Sequence, residues 1–232
     1  TVGGAVGVNE NNVNHITANG LNFEGFTNYR YLGGITGQNG PETDGDATAQ
    51  AQVTASSYSG TIKEGRSAAG NCYGGIVGIN YAALRECTVE QIVMDIQGVY
   101  TATSTSTTEQ KEALASHAGG VTGKNETNGS IENCVLTNNE ESSLTAGYGM
   151  LGGIAGFNKG SISGSGSDQT QVVLAGAEEL KNAAALDRIN QNIKDNSLAP
   201  KTTYVDWKSN TDIEKLSYHQ GENVTDGCLQ IK

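Results

Sequence analysis

A seven-residue motif recurs five times along this chain and constrains its fold more than any other feature. The motif reads Gly-Gly, an aliphatic residue, a small or β-branched residue, Gly, any residue, Asn. Its copies occupy residues 3–9, 33–39, 74–80, 119–125 and 152–158. The first glycines, at 3, 33, 74, 119 and 152, leave intervals of 30, 41, 45 and 33 residues. A constant motif with spacers of variable length predicts stacked coils that carry loops of different length.

The residues of the motif indicate a short strand that ends in a turn. Aliphatic and β-branched residues favour an extended, half-buried backbone. Glycine weakens a strand, so five copies of the same glycines predict a geometric need: either a positive φ at a corner or a close approach of neighbouring coils. The asparagine fits a turn that leaves the strand, and identical asparagines on successive coils also fit a ladder of side-chain amides.

A second, shorter pattern follows three of the motif copies. It consists of a small residue, a spacer or none, an aliphatic residue, up to two polar positions and then Cys or Gly, at residues 83–87, 129–134 and 160–164. This alternation predicts another short strand. Each repeat therefore contains at least two strands and a corner.

Taken together, the two patterns resemble the GLUG repeat of large bacterial surface and secreted proteins. The resemblance rests on Gly-Gly-Ile-Val-Gly-Ile-Asn followed by Leu-Arg-Glu-Cys, and on Gly-Gly-Val-Thr-Gly-Lys-Asn followed by Gly-Ser-Ile-Glu-Asn-Cys. It covers roughly residues 1–165, and it departs from the pattern at Ala5 and in long inserts after Asn39 and Asn80. Such repeats imply adhesin-like proteins or the non-catalytic portions of immunoglobulin A-cleaving metallopeptidases.

The predicted fold is all-β, a parallel β-helix or β-solenoid of about five irregular coils over residues 1–175. Thirty-two glycines and two prolines favour turn-rich β-structure over disorder. After Gly166 the composition changes. Residues 177–193 have the periodicity of a helix, and 202–207 that of a strand with the single tryptophan. We expect residues 176–232 to form a capping region of one helix and short strands, because exposed sheet ends need cover.

The charge and the hydropathy pattern exclude several classes of partner. A net charge of −11 argues against nucleic acid and against anionic membrane surfaces. The sequence has no run of 18 apolar residues, so no membrane-spanning helix is predicted. Residue 1 already lies in a repeat, without a signal peptide. We therefore expect a fragment of a longer secreted protein, with further repeats or a cap before it.

Two of the four cysteines, Cys87 and Cys134, share one position of the second pattern. On adjacent coils they would lie about 4.8 Å apart, which is within reach of a disulfide, although stacked side chains rarely have the orientation for one. The favoured interpretation is two buried free thiols. Cysteine-bound metal is not predicted, because the chain lacks Cys-x-x-Cys spacing.

The sequence predicts no catalytic, cofactor-binding or metal-binding residues. The three histidines, His15, His117 and His219, are far apart and lie outside any His-Glu-x-x-His pattern. The segment 160–164 has isoleucine in the place of a nucleophilic serine. The insert with Glu42, Asp44 and Asp46 lacks the glycine and the glutamate of a calcium loop. Other acidic residues are scattered: Asp95, Glu132, Glu140, Glu141 and Asp168.

The predicted function is that of a non-catalytic structural or adhesive segment of a larger bacterial secreted or cell-surface protein. It would act as a spacer, or as a binding face for a host extracellular protein or glycan through the loops at 40–50 and 101–117. The alternatives are a carbohydrate-active β-helix enzyme, a lyase or hydrolase, and an accessory domain of a secreted peptidase. Three carboxylates in one groove would favour the enzyme. A smooth face of Ser, Thr and Asn would favour the binding or spacer module.

Overall fold

The chain winds through four sheets of short strands in a repeating order. The computed structural model describes residues 1–26, 29–42, 50–65, 70–96, 116–137, 143–146, 149–152, 154–163, 166–168, 171–175, 216–218 and 229–231. These residues contain strands and turns and no helix. Nor do they include an apolar helix long enough to cross a membrane. We number the strands in chain order.

The first two faces are the halves of the recurring motif. Sheet A contains β1 (Val2–Gly3), β6 (Tyr31–Gly33), β10 (Cys72–Gly74), β14 (Ser116–Gly119) and β19 (Gly149–Gly152). Sheet B contains β2 (Val6–Asn9), β7 (Thr36–Asn39), β11 (Val77–Asn80), β15 (Thr122–Asn125) and β20 (Ala155–Asn158). All pairs in both sheets are parallel, so the two halves of the motif stack separately.

The second sequence pattern and the segment after it form the other two faces. Sheet C contains β3 (Asn12–Asn14), β8 (Gln52–Thr54), β12 (Ala83–Arg85), β16 (Ser130–Glu132) and β21 (Ser161–Ser163). Sheet D contains the parallel strands β4 (Thr17–Ala18), β5 (Phe23–Phe26), β9 (Ser57–Glu64), β13 (Thr88–Ile96), β17 (Val135–Thr137), β18 (Ser143–Ala146), β22 (Gly166–Asp168) and β23 (Gln171–Ala175). The antiparallel strands β24 (Leu216–Tyr218) and β25 (Leu229–Ile231) extend sheet D beyond β23.

Each circuit of the chain through the four sheets forms one coil. Coils one to five contain β1–β5, β6–β9, β10–β13, β14–β18 and β19–β23. Equivalent motif positions pair directly, and the register joins Gly3 to Gly33 and Asn9 to Asn39. The predicted parallel solenoid of five irregular coils is therefore confirmed.

The core lies between the sheets and consists of stacked apolar columns. On sheet C the inward residue of each strand pairs with its equivalents, and Val53, Leu84 and Ile131 are fully buried. Sheet D contributes the buried Tyr58, whose hydroxyl donates to the Leu21 carbonyl oxygen at 2.8 Å, and the buried Met94. Because successive coils place apolar residues at equivalent inward positions, the core is continuous along the stack.

Close approach of backbones, and not a positive φ, explains the motif glycines. The described glycines with positive φ all lie outside the motif: Gly20, Gly25, Gly40, Gly60 and Gly70. A Cβ atom on Gly78 would lie 2.6 Å from the Leu32 nitrogen and 2.6 Å from the Gly37 carbonyl oxygen, both in the preceding coil. Sheet B of one coil thus packs backbone to backbone on sheet A of the coil before it. Of the two geometric needs that the sequence left open, this is the one present.

The corner between sheets C and D is built differently from the glycine corner. Its turn residue has positive φ in four successive coils although none is glycine: His15, Ala55, Glu86 and Asn133, with φ of 54°, 45°, 53° and 52°. The amides of these turns bond to the next coil, as from the Ala55 nitrogen to the Arg85 carbonyl oxygen at 3.0 Å. The stack therefore holds the backbone of residues other than glycine in a left-handed conformation that normally favours glycine.

Several predicted features lie outside the described residues. These are the helix at 177–193, the strand at 202–207, His219, Cys228, residues 43–49 of the acidic insert with Asp44 and Asp46, Glu140 and Glu141, and residues 101–115 of the second predicted contact loop. The described part of the chain beyond residue 175 consists of β24 and β25.

Candidate functional site

The five motif asparagines form a continuous side-chain ladder parallel to the stacking direction. Each Nδ2 donates to the Oδ1 of the next asparagine, at 2.8, 2.8, 2.7 and 2.6 Å; this amide ladder consists of Asn9, Asn39, Asn80, Asn125 and Asn158. All five side chains are buried. The ladder that the sequence left open beside a simple turn role is confirmed.

Rungs of the amide ladder also bond to the backbone of their own turn or of the next coil. The Nδ2 of Asn80 donates to the Ala82 carbonyl oxygen of its own turn at 2.9 Å, and that of Asn39 donates to the Ala83 carbonyl oxygen of the next coil at 2.9 Å. A buried amide is stable only when its donors and acceptor have partners. Because the partners belong to neighbouring coils, the ladder fixes the register between coils as well as the turn.

A mostly polar surface lies on the outside of sheet C. We call it the sheet C face; it consists of the outward residues Asn12, Asn14, Gln52, Thr54, Ala83, Arg85, Ser130, Glu132 and Ser161. These side chains are exposed or half-buried. Among them Glu132 is the one carboxylate, and its Oε2 accepts from Arg85 Nε at 3.0 Å. The face therefore presents small hydroxyl and amide groups in rows, one row per coil.

A separate cluster packs where the outer sides of sheets A and B meet. We call it the outer seam; it consists of Tyr31, Cys72, Ile79, His117, Lys124 and Phe157. The His117 and Phe157 rings have centroids 5.4 Å apart. Two ammonium groups lie over Phe157, at 5.8 Å for Lys124 and 5.4 Å for Lys159, and Glu126 bridges these two lysines.

Cys72 and His117 in the outer seam are paired like a nucleophile and base but lack the matching electrostatics. The Cys72 Sγ lies 3.7 Å from His117 Nδ1. Burial raises the pKa of Cys72 to about 12. Burial, with the positive charges of Lys124 and Lys159, lowers the pKa of His117 to about 3. Both groups are neutral near pH 7, whereas a nucleophilic cysteine needs a thiolate. Their contact is therefore a weak hydrogen bond between neutral groups.

A buried carboxylate network lies beside a small cavity near sheets A and D. Tyr73 donates its hydroxyl proton to Glu64 Oε1 at 2.7 Å and accepts from Asn71 Nδ2 at 2.9 Å. Burial and the contact with Glu64 raise the pKa of Tyr73. Phe26 and Tyr29 line the cavity, which has room for about one water molecule. This size does not fit an organic ligand.

The Cys87 and Cys134 side chains lie in the core and are free thiols, which confirms the favoured interpretation. The Cys87 Sγ donates to the Arg85 carbonyl oxygen at 3.2 Å, and the Cys134 Sγ to the Glu132 carbonyl oxygen at 3.5 Å. Contact with Cys87 and burial raise the pKa of Cys134 well above its ordinary value. The hydrogen bond with Cys134 lowers the pKa of Cys87 against the opposing effect of burial. Both thiols are fully buried, which keeps them from reagents in the solvent.

Among the described residues, the scattered polar residues that the sequence offered do not come together in one site. His15 is exposed beside Asn14, and His117 lies in the outer seam. Within the described ranges, no three His, Cys, Asp or Glu side chains converge as ligands for a metal ion. The residues that do converge are the asparagines of the amide ladder, and the fixed position of Asn in all five motif copies was the signal for them.

The comparisons with known proteins agree with the architecture. Residues 115–139, which surround the fourth motif copy, match the family model of the GLUG motif. The GLUG resemblance of the sequence is confirmed at this copy. No curated protein and no solved structure is significantly similar to the chain.

Proposed function

We propose that this GLUG-bearing solenoid is a non-catalytic segment of a larger bacterial secreted or cell-surface protein, where it acts as a stiff spacer. The amide ladder is the observation that carries the proposal. It passes through all five coils as an unbroken series of buried hydrogen bonds no longer than 2.8 Å. Such a series opposes both sliding and separation of coils.

The packing of the coils supports the same role. Backbone packs on backbone at Gly78 and Gly123, where there is no space for even a methyl group. Close-packed interfaces of this kind have low compressibility. Five coils at the ordinary strand spacing give a rod about 24 Å long. Its length depends on the number of coils, which suits a segment that sets the distance between the domains on either side of it.

The sheet C face supports a second role as a binding face for a host protein or glycan. Its rows of Asn, Gln, Ser and Thr supply donors and acceptors that recur once per coil. Periodic polar groups suit an extended polymer better than a compact substrate. Acid–base hydrolysis of a glycan requires two carboxylates. This face has one, Glu132, and that carboxylate is paired with Arg85.

A distance measurement tests the spacer role. Spin labels at Asn12→Cys and Ser161→Cys, four coil steps apart, should give a narrow distribution near 19 Å plus the reach of the labels. Duplication of residues 116–148 after residue 148 should move the distribution outward by about 5 Å without broadening it. A broad distribution, or an unchanged distance in the duplicated protein, would contradict a stiff spacer.

A panel of host extracellular proteins and polysaccharides tests the other parts of the proposal. Binding that is lost in Gln52→Lys and kept in Glu10→Lys would assign contact to the sheet C face, since Glu10 lies outside that face. Release of sugar fragments from any polysaccharide by the purified chain would overturn the non-catalytic assignment.

A further inference from the structure

The ladder asparagine Asn39 differs from the other four in the residue that follows it. Its neighbour is Gly40, whereas the other ladder asparagines are followed by Glu10, Tyr81, Glu126 and Lys159. A glycine has no side chain to hinder its own backbone nitrogen, so an asparagine before glycine is the one most easily deamidated. The chain has two more Asn-Gly sequences, at residues 19–20 and 128–129. Asn39 therefore carries the most labile amide of the ladder.

The closed stack keeps both reacting groups of the Asn39-Gly40 sequence in other contacts. The Asn39 side chain is fully buried, and its Nδ2 donates to Asn80 Oδ1 at 2.8 Å and to the Ala83 carbonyl oxygen at 2.9 Å. The Gly40 nitrogen donates to the Asn9 carbonyl oxygen at 2.8 Å. Deamidation needs that nitrogen to attack the Asn39 side chain, so both sets of hydrogen bonds must break first. Coil two must therefore open before the reaction occurs.

The Asn19-Gly20 sequence has the same chemistry outside the amide ladder. It lies between strands β4 and β5, and both residues are exposed. The Gly20 nitrogen donates to the Ser59 hydroxyl oxygen at 3.1 Å. An exposed hydrogen bond of this kind opens more easily than a buried one. Asn19 is therefore an internal reference, since it has the same reacting groups without the protection of the ladder.

We infer that Asn39 is a latent deamidation site, which the amide ladder protects, and that its modification prevents an opened coil from closing. In the reaction the Gly40 nitrogen attacks Asn39 Cγ, and the side-chain nitrogen leaves as ammonia with the proton of the Gly40 amide. Water then opens the cyclic imide, which gives aspartate or isoaspartate. The net change is hydrolysis of one amide, without oxidation or reduction. The inference goes beyond the proposed spacer role and does not depend on it.

A modified residue at position 39 does not fit the amide ladder. The oxygen that replaces Nδ2 would face two acceptors, Asn80 Oδ1 and the Ala83 carbonyl oxygen, without a proton for either. A carboxylate buried in this way has no compensating donor on that side, which is costly. Isoaspartate would in addition lengthen the main chain by one atom and displace the Gly40 nitrogen from the Asn9 carbonyl oxygen. Either product therefore opposes the return of coil two to its register.

Mass spectrometry of the Asn-Gly peptides after incubation at pH 8 tests the protection. In denaturant, Asn19 and Asn39 should deamidate at similar rates. In the native protein, Asn39 should react at least about a hundredfold more slowly than in denaturant. Asn80→Ala removes an acceptor of Asn39 Nδ2 and should raise the native rate at Asn39 by about tenfold or more; Asn12→Ala is the control and should leave that rate unchanged. A native rate equal to the rate in denaturant, or one that Asn80→Ala leaves unchanged, would overturn the inference.

Refolding tests the effect of the modification. Protein partly deamidated in denaturant is diluted into buffer, and the chains that then resist protease are analysed. Deamidated Asn39 should be depleted from the resistant chains by at least about tenfold, while deamidated Asn19 should keep its starting proportion. Asn39→Asp should reproduce the loss of refolding, and Asn19→Asp is its matched control. Equal refolding of these two variants, or an equal share of deamidated Asn39 before and after refolding, would overturn the inference.

Discussion

The side-chain nitrogen Nδ2 of Asn80 lies 2.7 Å from the Oδ1 atom of Asn125, which is 45 residues further along the chain. Both side chains are fully buried. Asn80 also accepts from Asn39 at 2.8 Å, so one amide joins three successive coils. Loss of this side chain removes one of the two hydrogen bonds of Asn39 Nδ2 and the bond that Asn125 Oδ1 accepts from Asn80.

Asn80→Ala should lower the free energy of unfolding by about 2–4 kcal/mol, because Asn39 Nδ2 and Asn125 Oδ1 each lose a hydrogen bond in a buried setting. Chemical denaturation measures the change. Asn12→Ala on the sheet C face is the control and should change stability by less than about 0.5 kcal/mol. Equal effects of the two substitutions would contradict a structural role for the amide ladder.

Gly78→Ala should destabilise the protein by more than about 2 kcal/mol, because its methyl group would lie 2.6 Å from backbone atoms that cannot rotate away. Gly7→Ala adds the same methyl group to the same motif position, where the space is open. Denaturation of the two variants beside the 232-residue parent separates close packing from the loss of glycine itself. A tolerated Gly78→Ala would exclude the close approach of sheets A and B.

Ala55→Gly should stabilise the protein by about 0.5–1 kcal/mol. Ala55 has a φ of 45°, a left-handed conformation that is strained for alanine and free for glycine. Ala83→Gly in strand β12 is the control, and the loss of its side chain from an ordinary strand should destabilise by a similar amount. Thermal denaturation compares the two; a loss of stability in Ala55→Gly would show that strain at this corner is negligible.

His117 should make stability fall as the pH falls. Its pKa is about 3 in the folded protein and about 6.5 in the unfolded chain, so acid protonates the unfolded chain first. The contribution that neutral His117 makes to the free energy of unfolding is complete above pH 6.5 and is lost progressively as the pH falls toward 3. Between pH 7 and 4 the wild type should lose about 3 kcal/mol more than His117→Phe.

Denaturation at each pH measures that difference, and His15→Asn serves as its control. His15 is exposed and contacts Asn14, so this variant should follow the wild-type curve. Parallel curves for wild type and His117→Phe would mean that the imidazole is hydrated in solution.

Cys72, Cys87 and Cys134 should resist alkylation at pH 8 until the chain unfolds. All three are buried as free thiols, and burial raises the pKa of Cys72 to about 12. Mass spectrometry of the separate peptides gives the labelling of each thiol, and Asn12→Cys provides an exposed reference. Reductant should leave the thermal midpoint unchanged; a lower midpoint would reveal a disulfide in solution.

The repeat predicted most of the solenoid because its residues act at fixed positions in every coil. Asn39, Asn80 and Asn125 share a register in the sequence, and parallel pairing converts that register into direct contact. Gly78 was ambiguous, since glycine serves positive φ and close packing alike. The contacts of neighbouring coils were needed to choose between the two.

The outer seam could not be predicted, because spacers of variable length separate its residues in the sequence. Cys72 and His117 lie 45 residues apart and on opposite sides of the long segment 97–115. They meet because each stands two residues before the first glycine of its motif, a position that the pattern leaves free to vary. Glu64 and Tyr73 likewise come from positions without a repeated residue type.

The amide ladder also gives the rod an electrical polarity. Every carboxamide from Asn9 to Asn125 presents its oxygen toward the beginning of the chain and its nitrogen toward the end. Aligned amide dipoles add, as they do along a helix, which leaves a partial negative charge at one end and a partial positive charge at the other. The two ends of the ladder are therefore chemically unlike, since one presents an amide oxygen and the other an amide nitrogen.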